Sequence, residues 1–142
     1  MNQPNAEARE FDAIAIGDSA ELERVIEEKD VTAFAALTGD YNPLHTNAVF
    51  AFSTRFKARI AHGMLVASLL STLVGMHLPG RDALLLSQSL EFRQPVYLGD
   101  KIKVRVRVMH KVAAMRVLQL ECVATNQRNE VVMAGTAHVM AN

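Results

Sequence analysis

The clearest pattern in the chain is the strict alternation over Lys101-Ile102-Lys103-Val104-Arg105-Val106-Arg107-Val108. A period of two marks a strand with one dry face. It predicts Ile102, Val104, Val106 and Val108 in the core and Lys103, Arg105 and Arg107 in water. Weaker runs predict strands over residues 84–92, 115–125 and 131–140, with turns at 95–100 and 126–129. The N-terminal half reads differently. A loose polar tail over residues 1–10 leads to an expected first strand over 11–16. Gly17-Asp18-Ser19 is a turn signal, and residues 21–26 fit a short strand.

Between these strands the period lengthens. Asp30 is placed to cap a helix whose apolar side is Val31, Phe34, Ala35 and Leu37, with Thr38, and Gly39 is placed to end it. Thr46 or Asn47 caps a second short helix, with Ala48, Phe52 and Phe56 turned inward. Residues 64–76 are apolar on nearly every face but too few to span a bilayer, which predicts a buried helix. An antiparallel sheet needs one face covered, and no other segment is apolar enough to cover it. The expected fold class is α+β: a long curved antiparallel sheet wrapped around a central buried helix, as one domain over residues 11–142. Such domains often pair sheet edge to sheet edge, which covers an exposed edge strand.

Composition narrows the class of function. The 142 residues carry 15 basic and 15 acidic side chains, a formal net charge of zero. That balance argues against a nucleic-acid partner, whose phosphates select net positive fields. The single cysteine, Cys122, leaves no internal disulfide, and its apolar setting reads as a buried, inert thiol. The polar, acidic start lacks the basic-then-apolar order of a secretory signal, and no apolar stretch reaches about 18 residues. The expectation is a cytoplasmic protein without a membrane span.

The residues suited to chemistry gather in a polar break between apolar runs, Gly39-Asp40-Tyr41-Asn42-Pro43-Leu44-His45. Pro43 stiffens the path from Asp40 to His45, and Asn42, preceding a proline, is biased toward extended backbone. A carboxylate and an imidazole can divide acid and base work over one shared water. The same spacing fits a plain structural pair, with Asp40 capping a turn and His45 bonded to backbone. A second break, His62-Gly63, lies just ahead of the apolar helix. The free N–H groups of a helix start form an oxyanion site, and a glycine lets a carbonyl come close. The alternative is that Gly63 relieves a tight turn and His62 fixes the loop by a hydrogen bond. Ser68 and Ser71 lie inside the apolar helix, where a serine either bonds back to the preceding turn or points into a ligand tunnel. There is no Gly-x-Ser-x-Gly elbow and no glycine-rich phosphate loop, and His77, His110 and His138 are not spaced as a zinc set. No metal is expected.

Three segments together resemble a known family. Phe34-Ala35-Ala36-Leu37-Thr38-Gly39-Asp40-Tyr41-Asn42-Pro43-Leu44-His45 looks like the hydratase motif of the MaoC-like, (R)-specific enoyl-CoA hydratases. These are single-hotdog enzymes that feed polyhydroxyalkanoate synthesis from fatty-acid oxidation. Ile60-Ala61-His62-Gly63-Met64-Leu65 resembles their second signature. Ser87-Gln88-Ser89-Leu90-Glu91-Phe92-Arg93-Gln94-Pro95-Val96, followed by Gly99-Asp100, resembles the third. The resemblance runs in order through residues 25–139.

It implies a hotdog fold and a hydro-lyase that reversibly adds water to trans-2-enoyl-CoA, in syn fashion, giving (R)-3-hydroxyacyl-CoA. It implies Asp40 and His45 as the acid/base pair and Gly63 as the N–H donor to the thioester oxygen. Asn42 would orient the pair, Ser71 would lie near the site, and Leu65 and Leu84, with Leu69 and Leu86, are candidates for the tunnel wall. The implied partner is an acyl-CoA thioester. CoA belongs to the substrate and no separate cofactor is implied. A homodimer with the site near its interface is implied as well. Arg55, Lys57, Arg59 and Arg81 are available to the CoA phosphates. The alternatives are a hydroxyacyl-thioester dehydratase acting on acyl carrier protein, a hotdog thioesterase and a non-catalytic acyl-CoA-binding protein. The Asp40–His45 pair favours hydration.

Overall fold

The computed structural model describes residues 2–142. Its elements in chain order are β1 (Ser19–Val25), α1 (Glu28–Thr38), α2 (Pro43–Thr46), α3 (Ala48–Ser53), α4 (Gly63–Met76), β2 (Leu84–Phe92), β3 (Lys101–Val112), β4 (Val117–Thr125) and β5 (Val131–Met140). The five strands make one antiparallel sheet in the order β1-β3-β4-β5-β2. The alternation in β3 decides which face is dry: Ile102, Val104, Val106 and Val108 are all at 0% exposure. Their partners Ala124, Cys122 and Leu120 on β4 are buried too, because facing residues of an antiparallel pair share a side of the sheet. Each valine so enclosed contributes about 1.5–3 kcal/mol relative to exposure.

Helix α4 lies against that face. Val66, Leu70, Leu73 and Val74 are its buried residues, a single stripe at helical spacing. Its opposite side, with Ser68, Ser71 and Thr72, stays exposed. This is the α+β hotdog arrangement, a curved sheet around one apolar helix. No described helix is long and apolar enough to cross a membrane.

Several local expectations are corrected. Residues 11–13 form a 3-10 turn rather than a strand, with Phe11 and Ile14 buried, and the first strand starts at Ser19. The Phe11 N–H is taken by the Asn142 carbonyl, a contact between chain ends that removes it from any sheet ladder. The cap of α1 is Glu27, not Asp30. Asp30 is the third helical residue, and its carboxylate accepts the Glu27 N–H, completing a capping box. Leu37 is 84% exposed and Phe52 68%, while the single buried residue of α3 is Ala51. A helix of six residues turns only one position inward. The strand expected from Met115 begins at Val117, after a 3-10 turn over Ala113–Met115. The expected tail is also shorter than ten residues. Met1 lies outside the described residues, but Glu7 N–H donates to the Met76 carbonyl, and Arg9 N–H to that of Pro79.

One turn carries the weight of the site. Asp100 is buried, and its carboxylate accepts the Tyr97 N–H and the Gln127 amide, while Gly99 takes φ 93. Tyr97 in turn donates its hydroxyl to the Phe56 carbonyl and bridges to Ile60, and Ala61 N–H donates to Val96. The loop leading into α4 is thereby tied to the turn between β2 and β3.

Candidate active site

Helix α1 ends where Gly39 takes φ 80 and gives its N–H to the Ala35 carbonyl, a left-handed cap that glycine adopts without steric cost. The chain then leaves the helix axis at Asp40. Asp40 N–H donates to Thr38 Oγ1 at 3.2 Å, and Asp40 Oδ1 accepts the Asn42 N–H at 3.1 Å. Asn42 Oδ1 accepts the Leu44 N–H at 3.1 Å, and Pro43 takes the first helical position of α2. The path from Asp40 to His45 thus runs through a non-helical stretch, residues 40–42, into the first turn of α2. Asn42, at φ −48 and ψ 125, keeps the extended bias expected before proline.

Two contacts hold His45. Its Nδ1 lies 2.7 Å from the Ile60 carbonyl, which can only accept. The proton therefore sits on Nδ1 and leaves Nε2 with a free lone pair. Arg59 Nε donates to the His45 carbonyl at 2.6 Å, and its guanidinium bonds Glu28 at 2.9 Å. Arg59 is committed to strapping α2 onto α1, which corrects its expected availability to CoA phosphates. Arg55 lies over the Phe56 ring at 4.8 Å.

The second break meets the first. His62 caps α4 and is 2% exposed. Its Nε2–H donates to the Asp40 carbonyl at 3.0 Å, and its ring lies 4.1 Å from that of His45 and 4.8 Å from that of Phe34. Gly63 is the first residue of α4, so its N–H has no carbonyl partner within the helix. A Cβ at Gly63 would stand 3.1 Å from the Phe92 ring, so the missing side chain is what lets that ring close on the helix start.

Two hollows adjoin here. A cleft of 380 Å³ is bounded by Phe34, Thr38, Asp40, His45, His62, Gly63 and Met64. A cavity of 270 Å³ runs inward between Phe56, Ile60, Val66, Phe92, Val96, Val132 and Met133, with Arg93 and Gln94 as its polar wall. His45 and Gly63 line both. The arrangement offers a carboxylate, an imidazole lone pair and a helix-start N–H around one junction, with an apolar hollow beside it. Such a junction can hold a water between the two side chains and an oxygen against the N–H.

A carboxylate oxygen of Asp40 and a ring nitrogen each of His45 and His62 lie within 4.8 Å of one another. Ligands of a tetrahedral zinc site stand about 3.3 Å apart, given bonds of about 2.0 Å. A nitrogen of each ring is also already bonded to a carbonyl.

Asp40, His45 and Gly63 converge, and Asn42 shapes the turn that joins the first two. The other expected residues do not line either hollow. Ser71 is exposed eight residues along α4, about 12 Å from Gly63 by helical rise. Leu65 is half-buried against the core. Leu84 is 56% exposed at the far end of β2 from Phe92, about 26 Å away at the usual rise of a strand. Arg93 and Met133 line the cavity although neither was singled out as a site residue. Phe92 and Arg93 lie within the third signature, residues 87–96, which is the sequence signal that could have found them.

A family model described as the MaoC like domain matches residues 13–133. The chain belongs to the MaoC-like family. Among MaoC-like relatives, it is 41% identical over 130 residues to an (R)-specific enoyl-CoA hydratase of Rhodospirillum rubrum, covering 92% of this chain and 90% of that one. It is 40% identical over 129 residues to a 3-hydroxybutyryl-CoA dehydratase of Methylorubrum extorquens, covering 91% and 82%. The MaoC-like fold superimposes on the (R)-hydratase from A. caviae involved in PHA biosynthesis with a TM-score of 0.90 at 37% identity, covering 92% of this chain and 98% of that one.

Proposed function

We propose that this chain is an (R)-specific enoyl-CoA hydratase, a hydro-lyase that adds water to trans-2-enoyl-CoA. The observation that carries the reading is the convergence of Asp40, His45 and the Gly63 N–H on one junction beside an apolar cavity. The acyl chain enters the cavity and the thioester oxygen meets the Gly63 N–H. That N–H, backed by the dipole of α4, stabilises the negative charge that the oxygen gains as C3 is attacked. A water sits between the Asp40 carboxylate and His45 Nε2. His45 Nε2 takes one proton as the water oxygen bonds to C3, while Asp40 accepts a hydrogen bond from the O–H that is kept. His45 then returns its proton to C2. Hydroxyl and hydrogen arrive from one face, which is syn addition, and no atom is left over. Dehydration is the same path reversed. Polyhydroxyalkanoate and fatty-acid metabolism are the settings this chemistry serves.

The working unit in this reading is a homodimer joined along β2. That strand is a sheet edge on which Leu84, Leu85 and Leu86 are 56%, 47% and 45% exposed. Phe92 ends the same strand and lines the cavity, so joining this edge sets the site near the interface. A cytoplasmic location belongs to the same proposal, and cell fractionation tests it.

Crotonyl-CoA tests the activity. The expected result is loss of enoyl absorbance, an (R)-3-hydroxybutyryl product and no free CoA. Free CoA without a hydroxyacyl product would indicate a thioesterase, and an unchanged substrate would indicate a binding protein.

A further inference from the structure

One buried titratable side chain takes no step in that chemistry. His62 is 2% exposed, and its Nδ1 is enclosed without a hydrogen-bond partner among the described residues. A residue that only filled this space, against Phe34, would be apolar, since an orphaned buried nitrogen is costly and uncommon. The polar ring must therefore answer to its other contacts. Besides Phe34 it makes two, to Asp40 and to His45, and the His62 backbone reaches the third part of the site. Nε2–H donates to the Asp40 carbonyl at 3.0 Å, across 22 residues of chain. The ring face lies 4.1 Å from His45 at an interplanar angle of 34°. The His62 carbonyl accepts from Leu65 and Val66 N–H, which starts α4 and aims the adjoining Gly63 N–H.

Each contact fixes a different distance. The Nε2 bond sets how far Asp40 stands from the start of α4. The tilted ring contact stops the His45 ring from rotating about the pivot of its Nδ1 bond to Ile60. Neither contact can be supplied by chain connectivity, because Asp40 and His45 belong to the α1–α2 segment and Gly63 to α4. Phenylalanine would keep the face and lose the donor. Glutamine would keep a donor and lose the face.

We propose that His62 is the positioning residue that holds Asp40, His45 and the Gly63 N–H in register. The role rests on the hydratase reading above. It makes two statements that a filler role does not. The two adjoining imidazoles are opposite tautomers, His45 protonated on Nδ1 and His62 on Nε2. Loss of the donor lowers turnover without loosening the fold or the binding of substrate.

The experiment uses the full chain with His62→Phe and His62→Gln. Long-range ¹H–¹⁵N spectra of the wild type at about pH 8, where an ordinary imidazole is neutral, should show the two tautomers. His62→Phe should keep the wild-type melting temperature and a KM within about twofold, while kcat falls on the order of 10²-fold, the cost of misplacing reacting groups by about 1 Å. His62→Gln should recover part of kcat, within about tenfold of wild type. Like tautomers in the two rings, or the reverse pair, would overturn the arrangement. An active wild type with an equally active His62→Phe would overturn the positioning role alone, as would a kcat loss matched by a fall in melting temperature. A wild type that turns over no crotonyl-CoA would instead remove the hydratase reading, and this role with it.

Discussion

The N–H of Gly63 can be removed almost in isolation, because its place in the helix tolerates proline. Gly63 is the first residue of α4, the position where proline is most at home and where the lost N–H breaks no helical hydrogen bond. His62, at φ −57 and ψ 134, already has the extended backbone that the residue before a proline requires. The one obstacle is Phe92, whose ring atoms Cδ1 and Cε1 would stand 3.1 Å from a new Cβ. Carbon atoms in good contact stand at about 3.5–4.0 Å, so the ring must yield a few tenths of an ångström. Phe92 is 51% exposed at the end of an edge strand, and such a ring can move that far. Gly63→Ala meets the same obstacle and keeps the N–H. The two variants therefore share the Cβ contact with Phe92 and differ in the donor and in the two further carbons of the proline ring.

Removing one oxyanion donor costs about 10²–10³ in kcat, or about 2.7–4 kcal/mol. Gly63→Pro should lose that much on crotonyl-CoA, and Gly63→Ala should stay within about tenfold of wild type. Both should melt within about 3 °C of it, the span of a sub-kcal/mol change in a domain of this size. Binding of the unreactive butyryl-CoA checks that the proline ring has not closed the pocket. If both variants fold, bind butyryl-CoA and show the same kcat, the Gly63 N–H is not the donor.

Asp40→Asn and His45→Gln should each lower kcat by about 10²–10⁴, the order of worth of a group that holds or deprotonates the attacking water, with melting temperatures little changed. A variant of either residue with near-normal crotonyl-CoA hydration would exclude that residue from its assigned role at the water. Leu85→Arg on the free edge of β2 should convert a dimer to a monomer by light scattering, and a wild type that is monomeric while active would refute the edge pairing. Burial works against the charge of Asp30, but hydrogen bonds from Arg24 and the Glu27 N–H outweigh it and hold its pKa below 3.8. A carboxyl held below its unfolded value stabilises the fold above that value, and the benefit fades as pH falls through the folded value. Asp30→Asn should therefore melt about 3 °C below wild type near pH 7, a cap's worth of about 1 kcal/mol, with the gap narrowing as pH is taken below 3.8.

Local signals in the chain were legible where one physical cause acted alone. The alternation of β3 had no competitor, and its four apolar residues are fully buried. The apolar run of 64–76 became a helix starting one residue earlier, at Gly63, and Gly39 ended α1 with the left-handed φ that glycine permits. Asp30 misled because an acid suits both the cap and the third residue of a capping box, and the side chain alone does not distinguish the two. Residues 11–16 misled because Phe11 is held by Asn142, at the other end of the chain.

The same division runs through the site. Asp40, Asn42 and His45 are close in sequence, and Gly63 opens the most apolar helix, so the polar half of the junction was open to a reading by spacing. The apolar half is not local. Phe92 reaches Met133 through the pairing of β2 with β5, and Phe56 reaches Tyr97 through a hydroxyl hydrogen bond across 41 residues. Sheet register and loop ties therefore decide the depth and width of the cavity. In this reading the chemistry is written in two short segments and the substrate's size in the long-range pairing. Substitutions at Phe92 or Met133 should then change which acyl chain is accepted while leaving the Asp40–His45 pair able to work.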